Sequence, residues 1–360
     1  MVGSALCGKK RSFLLLLHTC VSPCVLGFLG VHLSSMSSPL QAQGSGNDIG
    51  YCYDEGFISN SRGLKLFTCQ WLPRNRDPKA LIFLCHGTGI TLAEAGYAVY
   101  GMDYEGHGKS SGLQGYVRSF DALVNDCSEY FTGVCERPEN KNKKRFLLGE
   151  SMGGAVALLL HRKKPKFWDG AVLVAPMCKI ADEMRPHPVV ISILTKLCKV
   201  IPTWKIVPTQ DVIDTAIKNP ERRMEVRNNP YCYKGNPRLK TAHELLLASL
   251  DVEKKLNEVS VPFIIVHGGD DVVTDPSVSR LLYESAASTD KTFKLYPGMW
   301  HALTSGEPPE NIKLVFSDVI GWLDKRSPAE ISKSEMEQKA EHDRQCLQPS
   351  DGKKPEAVPC

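Results

Sequence analysis

The stretch Arg145-Phe-Leu-Leu-Gly-Glu-Ser-Met-Gly-Gly-Ala-Val-Ala-Leu158 decides the interpretation of this chain. Its first four residues predict a short buried strand, and the residues from Met152 onward predict a helix. Between them, Gly149-Glu-Ser-Met-Gly153 matches the pattern Gly-x-Ser-x-Gly, which alone arises by chance in about one chain of this length in eight. The position between a strand and a helix makes the match specific, because a nucleophile elbow has this setting.

The elbow interpretation gives Ser151 a chemical role. A sharp turn leaves little room for side chains at positions 149 and 153, which explains glycine at both. Ser151 then stands at a helix N-terminus, where the backbone N–H of Met152 and the helix dipole can stabilise an oxyanion. A serine hydroxyl is a weak nucleophile without an adjacent base, so the rest of the chain must supply one.

Short apolar runs alternate with helical segments on both sides of this elbow. The predicted strands are Leu81 to His86, Tyr97 to Asp103, Arg145 to Leu148, Ala171 to Ala175, Pro262 to His267 and Thr292 to Tyr296, after an antiparallel pair within residues 57–71. The predicted helices are Phe120 to Cys135, Met152 to Arg162, Pro276 to Ala287 and Glu310 to Leu323. Strands that are apolar throughout are typical of parallel sheets covered on both faces. The sequence therefore predicts an α/β fold with a mostly parallel, doubly wound sheet.

One interval breaks this alternation. Residues 177–261 separate two predicted strands, and the interval contains helical runs at Val189 to Val200 and Thr241 to Asn257. An interval of this length is expected to have structure of its own. We interpret it as a helical cap inserted at the C-terminal edge of the sheet, where open α/β folds bind ligands.

The cap interpretation divides the chain into four parts. The α/β core comprises residues 48–176 and 262–324, residues 177–261 form the cap, and residues 1–47 form an N-terminal extension. Residues 325–360 carry seven basic and seven acidic residues with almost no large apolar side chains. Such a composition predicts a disordered tail.

Two other strand ends supply partners for Ser151. Gly268-Gly-Asp-Asp271 follows one predicted strand, and Pro297-Gly-Met-Trp-His301 follows another. Both segments are expected at the same sheet edge as Ser151, in the chain order acid then histidine. His301 would accept the Ser151 proton and Asp271 would orient the imidazole, although periodicity does not separate Asp271 from Asp270.

The remaining polar residues near these strand ends are interpreted as structural. Asp275 precedes a proline and predicts a helix N-cap. His86 and His267 end strands, and we expect packed, hydrogen-bonded histidines at both positions. His107 lies in a glycine-rich loop, Asp103-Tyr-Glu-Gly-His-Gly-Lys-Ser110, that is expected to shape the edge of the site.

Composition and charge exclude several functional classes. Hydrophobic residues make up 42% and charged residues 23% of the chain, which are values of a globular protein. The net charge of +4 includes Lys9, Lys10 and Arg11, so the remainder is close to neutral and no nucleic-acid partner is expected. The 13 cysteines include no Cys-x-x-Cys pair and signal no metal site. Cys85 reads as a small buried apolar residue.

The N-terminal extension resembles a targeting segment. Residues 1–47 contain no acid, and the apolar run Phe13 to Leu33 is about as long as a membrane span. A membrane anchor predicts an endomembrane location, whereas translation from Met36 predicts a cytoplasmic one. A signal peptide and a plastid transit peptide are further alternatives, and none of these patterns fits cleanly.

Six segments carry a family resemblance. They are Phe57-Ile-Ser-Asn-Ser-Arg-Gly-Leu-Lys-Leu-Phe-Thr68, Met102-Asp-Tyr-Glu-Gly-His-Gly-Lys-Ser110, Gly149-Glu-Ser-Met-Gly-Gly154, Ala175-Pro-Met-Cys178, Val273-Thr-Asp-Pro276 and Leu295-Tyr-Pro-Gly-Met-Trp-His-Ala-Leu-Thr304. Together they resemble the plant monoacylglycerol lipase-like α/β-hydrolases, a family that includes caffeoylshikimate esterases. The resemblance covers most of the chain between residues 50 and 325.

The resemblance implies a chemistry and a site. It implies hydrolysis of small carboxylic esters, either monoacylglycerols or phenolic esters such as caffeoylshikimate, with no cofactor and with a cap that selects the acyl or aryl group. The family pattern His-Gly-x-x-Asp-x-Val-Thr-Asp-Pro falls on residues 267–276 and places the triad acid at Asp271. A peptidase activity is less favoured, because no acidic cluster marks a site for a substrate amine.

One departure from the family pattern matters. Members carry His-Gly-x-Gly after the third strand, so His86-Gly-Thr-Gly89 implies that Thr88 donates a second oxyanion N–H. The next helix begins at once, and the crossover from Gly87 to Gly96 is at or below the usual minimum of about ten to twelve residues. An alternative function is therefore a catalytically impaired hydrolase-fold binding protein or splice isoform.

Overall fold

The computed structural model describes residues 50–86, 89–179, 187–207 and 211–327. These ranges contain a single sheet of eight strands. The strands are β1 Tyr51–Ser59, β2 Lys65–Pro73, β3 Leu81–His86, β4 Ala98–Met102, β5 Arg145–Glu150, β6 Gly170–Val174, β7 Phe263–Gly268 and β8 Lys291–Tyr296. Their order in the sheet is β1-β2-β4-β3-β5-β6-β7-β8.

The direction of the strands confirms the predicted fold class. β1 pairs with β2, and β2 with β4, in antiparallel fashion, whereas β4, β3, β5, β6, β7 and β8 are parallel to one another. The connection from β3 to β4 places β4 on one side of β3. The later connections add β5, β6, β7 and β8 in turn on the other side. The fold is therefore an α/β fold with a mostly parallel, doubly wound sheet.

Nine α-helices accompany the sheet within the described ranges. They are α1 Ile90–Glu94, α2 Phe120–Cys135, α3 Met152–Lys163, α4 Pro188–Cys198, α5 Val212–Ala216, α6 Pro220–Asn228, α7 Leu239–Glu253, α8 Pro276–Ser285 and α9 Pro309–Asp324. Local signals begin several of them. The Ser119 side chain caps α2, and Asp275 caps α8 by accepting a hydrogen bond from the Ser277 backbone N at 2.7 Å, with Pro276 in the first turn.

Alternating residues of the central strands enter apolar cores on opposite faces of the sheet. In β3, Phe83 and Cys85 face one core, whereas Ile82 and Leu84 face the other. The first core is covered by α2, α3, α7 and α8, and the second by α1 and α9. Both faces of the sheet are thus covered, and only the loops at the strand ends remain for chemistry.

The interval between β6 and β7 contains the helices α4 to α7. The sequence predicted α4 and α7 to within a few residues but did not predict α5 and α6. α5 and α6 pack around a small apolar cluster that includes Val273 and Ala302, outside the interval. Their formation depends on these distant contacts, and this explains why local patterning did not reveal them.

The crossover from β3 to β4 is short, as the sequence predicts. β3 ends at His86, and the five-residue helix α1 runs from Ile90 to Glu94. β4 then begins at Ala98. A Cβ atom at Gly89 would lie 2.7 Å from the Trp71 ring, so glycine lets the crossover approach the sheet closely. Gly87, Thr88 and the His86 side chain lie outside the described part of the chain.

The ends of the chain are described only in part. The apolar run Phe13 to Leu33 lies outside the described residues, as does the tail from residue 328. Within the ranges that are described, no helix has both the length and the apolar character needed to cross a membrane. The expected tail begins with residues that still contact the core, because Arg326 pairs with Asp290.

Candidate active site

The turn between β5 and α3 holds Ser151 in an unusual backbone conformation. Its φ is 56° and its ψ is −117°, a region that non-glycine residues rarely occupy. A Cβ atom at Gly149 would lie 2.2 Å from the Gly153 carbonyl oxygen, and one at Gly154 would lie 2.5 Å from Pro176 Cβ. Gly154, which the sequence pattern did not single out, therefore also lies in close contact, and these glycines allow the sharp turn.

Main-chain hydrogen bonds fix this turn to the neighbouring strand. The Ser151 N–H donates to the Val174 carbonyl at 2.9 Å, and the Met177 N–H donates to the Ser151 carbonyl at 2.9 Å. The side chain of Ser151 is thereby presented beyond the C-terminal edge of the sheet, at the N-terminus of α3. A strained residue held this firmly is characteristic of a functional position.

Three predicted residues come together at this edge. Ser151 Oγ lies 2.8 Å from His301 Nε2, and His301 Nδ1 lies 2.7 Å from Asp271 Oδ2. All three residues are buried. Because Asp271 is an acceptor, the Nδ1 atom of His301 carries the proton, and Nε2 is left to accept the Ser151 hydroxyl proton.

The carboxylate of Asp271 is held by its own turn. Oδ1 accepts hydrogen bonds from the backbone N atoms of Val273 at 2.7 Å and Thr274 at 3.0 Å. Oδ2 accepts one from the Thr274 hydroxyl at 2.9 Å, in addition to the bond from His301. Burial alone would raise the pKa of Asp271, but the charge of His301 and hydrogen bonds from His267 and His301 lower it well below its usual range.

The neighbouring acids do not share this position. Asp270 is exposed, and its Oδ1 accepts a hydrogen bond from the Gly298 backbone N at 3.3 Å. Asp275 caps α8, as its sequence context predicts. Asp271 is therefore the acid that contacts His301 in this structure, the choice that the family pattern favoured over Asp270.

The electrostatic surroundings of His301 favour its charged form. Burial works to lower the pKa of His301, whereas the charge of Asp271, its hydrogen bond to Nδ1 and the charge of Glu150 act to raise it. The net result is a pKa above the ordinary value of histidine. An imidazole in this setting gains a proton readily from a neighbouring hydroxyl once the reaction begins.

His267 is a buried, hydrogen-bonded histidine, as the sequence indicates. Its Nδ1 lies 2.8 Å from Ser279 Oγ and its Nε2 lies 2.9 Å from the Thr274 carbonyl oxygen. Nε2 also lies 3.1 Å from Asp271 Oδ2, so His267 contacts the triad carboxylate and helps to hold it in place. His107 Nδ1 contacts the Glu105 carbonyl oxygen at 2.9 Å within its glycine-rich loop.

Only one of the two predicted oxyanion-hole donors lies in the described part of the chain. Met152 is the first residue of α3, so its backbone N–H is among those that a helix N-terminus leaves without an intrahelical partner. Thr88, the second predicted donor, lies outside the described residues. In the part of the chain that is described, no three His, Cys, Asp or Glu side chains are grouped to hold a metal ion.

Several residues of the site were not predicted as members of it. They are Glu150, Thr274, Glu307 and the segment from Ala216 to Asn219 between β6 and β7. Thr274 was visible in the Val273-Thr-Asp-Pro276 motif, but its hydroxyl contact with Asp271 was not. Glu307 accepts a hydrogen bond from the Trp300 backbone N at 2.6 Å, a contact that no sequence pattern signals.

With this geometry in hand, comparison with known proteins assigns the family. A family model described as "Serine aminopeptidase, S33" matches residues 76–309. The chain belongs to this family of α/β-hydrolases. The match spans the parallel strands β3 to β8, the Ser151 turn, the helices between β6 and β7 and the loops that carry Asp271 and His301.

Individual relatives confirm the resemblance that the sequence motifs indicate. Caffeoylshikimate esterase of Arabidopsis thaliana is 36% identical over 275 residues, covering 73% of this chain and 82% of the relative. Monoglyceride lipase of Homo sapiens is 30% identical over 282 residues, covering 75% of this chain and 90% of the relative.

A solved structure supports the fold independently. The crystal structure of a soluble variant of monoglyceride lipase from Saccharomyces cerevisiae, in complex with a substrate analog, matches with a TM-score of 0.65 and 22% identity. The match covers 79% of this chain and 97% of the other. At 22% identity, this likeness is evidence for a shared fold alone.

Proposed function

We propose that this protein is a serine hydrolase that cleaves small carboxylic esters through an acyl-enzyme. The observation that carries the proposal is the buried chain of contacts from Ser151 Oγ to His301 Nε2 and from His301 Nδ1 to Asp271 Oδ2, at 2.8 and 2.7 Å. Ester hydrolysis is also supported by the relatives, which are an esterase and a lipase.

The geometry supports a two-step mechanism. His301 Nε2 takes the Ser151 hydroxyl proton while Oγ attacks the ester carbonyl, and the Met152 N–H stabilises the oxyanion. His301 then returns the proton to the leaving alcohol, and an acyl group remains on Ser151. Water, activated by the same imidazole, hydrolyses this acyl-enzyme, while Asp271 holds the imidazole orientation throughout.

The substrate classes follow from the relatives. Monoacylglycerols and caffeoylshikimate-type phenolic esters both present an ester of a single acyl group on a small polyol. We propose that the helices between residues 177 and 261 form a cap over Ser151 and select between a flexible acyl chain and a planar aryl group. A role of the chain in lipid metabolism or in lignin biosynthesis depends on that choice.

A reactivity assay combined with a substrate panel tests the function. Purified protein is treated with a fluorophosphonate, which labels only an activated serine, and is then assayed with a monoacylglycerol and with caffeoylshikimate. We expect labelling and turnover of at least one ester in the wild type and neither in Ser151→Ala. A wild-type protein that is folded but neither labels nor turns over any ester contradicts the proposal.

A second function, that of an impaired hydrolase acting as a binder, is favoured by one observation. The β3–β4 crossover leaves only residues 87–89 between the end of β3 and the start of α1. If Thr88 cannot aim its N–H at the oxyanion, turnover should fall by about 10²- to 10³-fold while Ser151 still reacts with the phosphonate. An insertion of about ten residues between Gly87 and Thr88 should then raise turnover at least about tenfold. An insertion without effect on a briskly active enzyme excludes this function.

Membrane attachment is a separate proposal that concerns the N-terminal extension alone. A long apolar run after Lys9, Lys10 and Arg11 favours insertion with the basic side in the cytoplasm. A fluorescent fusion of residues 1–47 should therefore label an endomembrane. Diffuse cytosolic fluorescence would contradict the proposal.

A further inference from the structure

A buried hydrogen bond joins the two sides of the candidate active site. Glu150 lies directly before Ser151, at the end of β5, and its side chain is only 7% exposed. Its Oε2 accepts a hydrogen bond from the Thr304 hydroxyl at 2.6 Å. Thr304 follows His301 by three residues, so this contact links the strand that presents the nucleophile to the loop that presents the base.

The contact is unusual because a carboxylate is expensive to bury. A buried charge is normally paired with a cation or held by several donors. In the part of the chain that the structure describes, no Lys or Arg side chain forms an ion pair with Glu150, and its hydrogen-bond donors are the hydroxyl and the backbone N–H of Thr304. Burial raises the pKa of Glu150 above its ordinary value, and the hydrogen bonds from Thr304 and the charge of His301 offset only part of this effect.

The imidazole of His301 is the titratable group whose positive charge, once formed, acts on this carboxylate. Asp271 faces the imidazole from the β7 side and Glu150 from the β5 side, with Thr274 and Ser151 as neutral neighbours. Glu307 is a third buried acid near this loop, but it holds the Trp300 backbone N and the Asn311 side chain instead. Two negative charges therefore act on the imidazole ring, and Asp271 is only one of them.

We propose that Glu150 is a positioning residue of the active site: through Thr304 it holds the His301 loop against the nucleophile strand, and its negative charge favours the imidazolium that forms when Ser151 gives up its proton. This inference rests on the proposed function for its catalytic consequence. Its electrostatic part concerns His301 itself and is measurable without any substrate.

The first experiment follows the titration of His301 by NMR in wild type, Glu150→Gln and Glu307→Gln. Glutamine keeps the size of glutamate and an oxygen that can accept the Thr304 hydrogen bond, but it removes the charge. We expect the pKa of His301 to fall by about 0.5 to 1 unit in Glu150→Gln, since a nearby negative charge stabilises the imidazolium. In Glu307→Gln the pKa should stay within about 0.2 unit of wild type.

The second experiment measures the pH dependence of ester hydrolysis in the same variants. The base must be neutral to act, so the acidic limb of kcat/KM follows the pKa of His301. In Glu150→Gln this limb should move to lower pH, and kcat at its plateau should fall about 3- to 10-fold with KM unchanged. A purely structural role would not move the acidic limb.

Substitutions of Thr304 test the link without altering the charge. Thr304→Ser keeps the hydroxyl and should retain kcat within about twofold, whereas Thr304→Val should lower kcat at unchanged KM. This pair also keeps the inference testable if Glu150→Gln fails to fold. A fully active Thr304→Val overturns the positioning role.

The outcomes separate this inference from the proposed function. An unchanged His301 pKa in Glu150→Gln, or an equal shift in Glu307→Gln, overturns the electrostatic role of Glu150. If Glu150→Gln lowers the pKa of His301 but the wild-type protein hydrolyses no ester, the proposed function is contradicted. The electrostatic role of Glu150 is then still supported.

Discussion

The nucleophile side and the acid–histidine side of the site are built by different means. Ser151 is fixed by the backbone geometry of its own turn, with a φ of 56° and a glycine at 149, and by main-chain hydrogen bonds to Val174 and Met177. The His301 loop is fixed by one segment far away in the sequence and by a glutamate a few residues further along the same loop. The Ala302 N–H donates to the Ala216 carbonyl of α5 at 3.0 Å, and Glu307 holds the Trp300 backbone.

The inserted helices contribute directly to the acid–histidine side. The backbone N atoms of Lys218 and Asn219 donate to the Gly306 carbonyl at 2.9 and 2.8 Å, and Lys218 Nζ donates to the Gly298 carbonyl at 2.6 Å. An apolar cluster completes the contact and comprises Ala216, Ile217, Val226, Cys232, Val273 and Ala302. The nucleophile therefore depends on its own turn and on the adjoining strand β6, whereas the base depends on packing against the helices between β6 and β7.

The largest expected effect comes from removing either side altogether. Ser151→Ala and His301→Ala should each lower kcat by about 10⁵- to 10⁶-fold, and the double variant should be little worse, because the residues act as one unit. Steady-state assays with an ester substrate measure this. Additive losses in the double variant would show that the two sides contribute independently.

The choice between neighbouring acids gives the next largest effect. Asp271→Asn should lower kcat by about 10⁴-fold, since an asparagine cannot hold the imidazole in the required tautomer. Asp270→Asn is the matched control, because that side chain is exposed and accepts a hydrogen bond from the Gly298 backbone rather than from His301. A damaged Asp270→Asn beside a near-normal Asp271→Asn would reverse the assignment.

A glycine substitution tests the local character of the nucleophile side. Gly149→Ala introduces a Cβ 2.2 Å from a backbone oxygen, where no flexible side chain can yield. We expect it to destabilise the fold by about 3 kcal/mol, at the upper end of overpacking costs, and to reduce phosphonate labelling of Ser151. Gly133→Ala, in an open helical position, should instead stabilise the protein by about 0.5–1 kcal/mol. Denaturant unfolding and labelling together measure both effects.

The smallest effect concerns the dependence of the base on the inserted helices. Ile217→Ala should remove buried contacts in the cluster with Val273 and Ala302, and we expect kcat to fall about 3- to 10-fold while phosphonate labelling persists. Val189→Ala, at an exposed position of α4, is the control and should leave kcat unchanged. Equal behaviour of the two variants would show that α5 does not support His301.

The sequence predicted the parts of the molecule that are encoded locally. The strand β3 and the helix α2 have the predicted bounds, because continuous apolar runs and an N-cap serine specify them. The positions of Ser151, Asp271 and His301 at one edge followed from strand ends in a parallel sheet. The helices α5 and α6 were missed, because one has only five residues and the other is mostly polar.

The contacts between distant segments had no signal in the sequence. Glu150 and Thr304 are 154 residues apart, and each is an ordinary polar residue in its own motif. His267 was predicted as a structural histidine, but its contact with Asp271 depends on the turn that brings Thr274 beneath the ring. Such pairings depend on the register of the sheet and on the packing of the loops above it. The local sequence pattern specifies neither.

The contacts of Ala216 to Asn219 with the loop from Gly298 to Gly306 restrict how substrate selectivity can be transferred between relatives by exchanging helices. An engineer who grafts the helices of another family member onto this sheet would remove the carbonyl that receives the Ala302 N–H and the donors that hold Gly306. The two segments therefore form a single module, and they have to be transplanted together. The Ser151 turn and the Asp271 turn carry their own internal supports and can stay with the host.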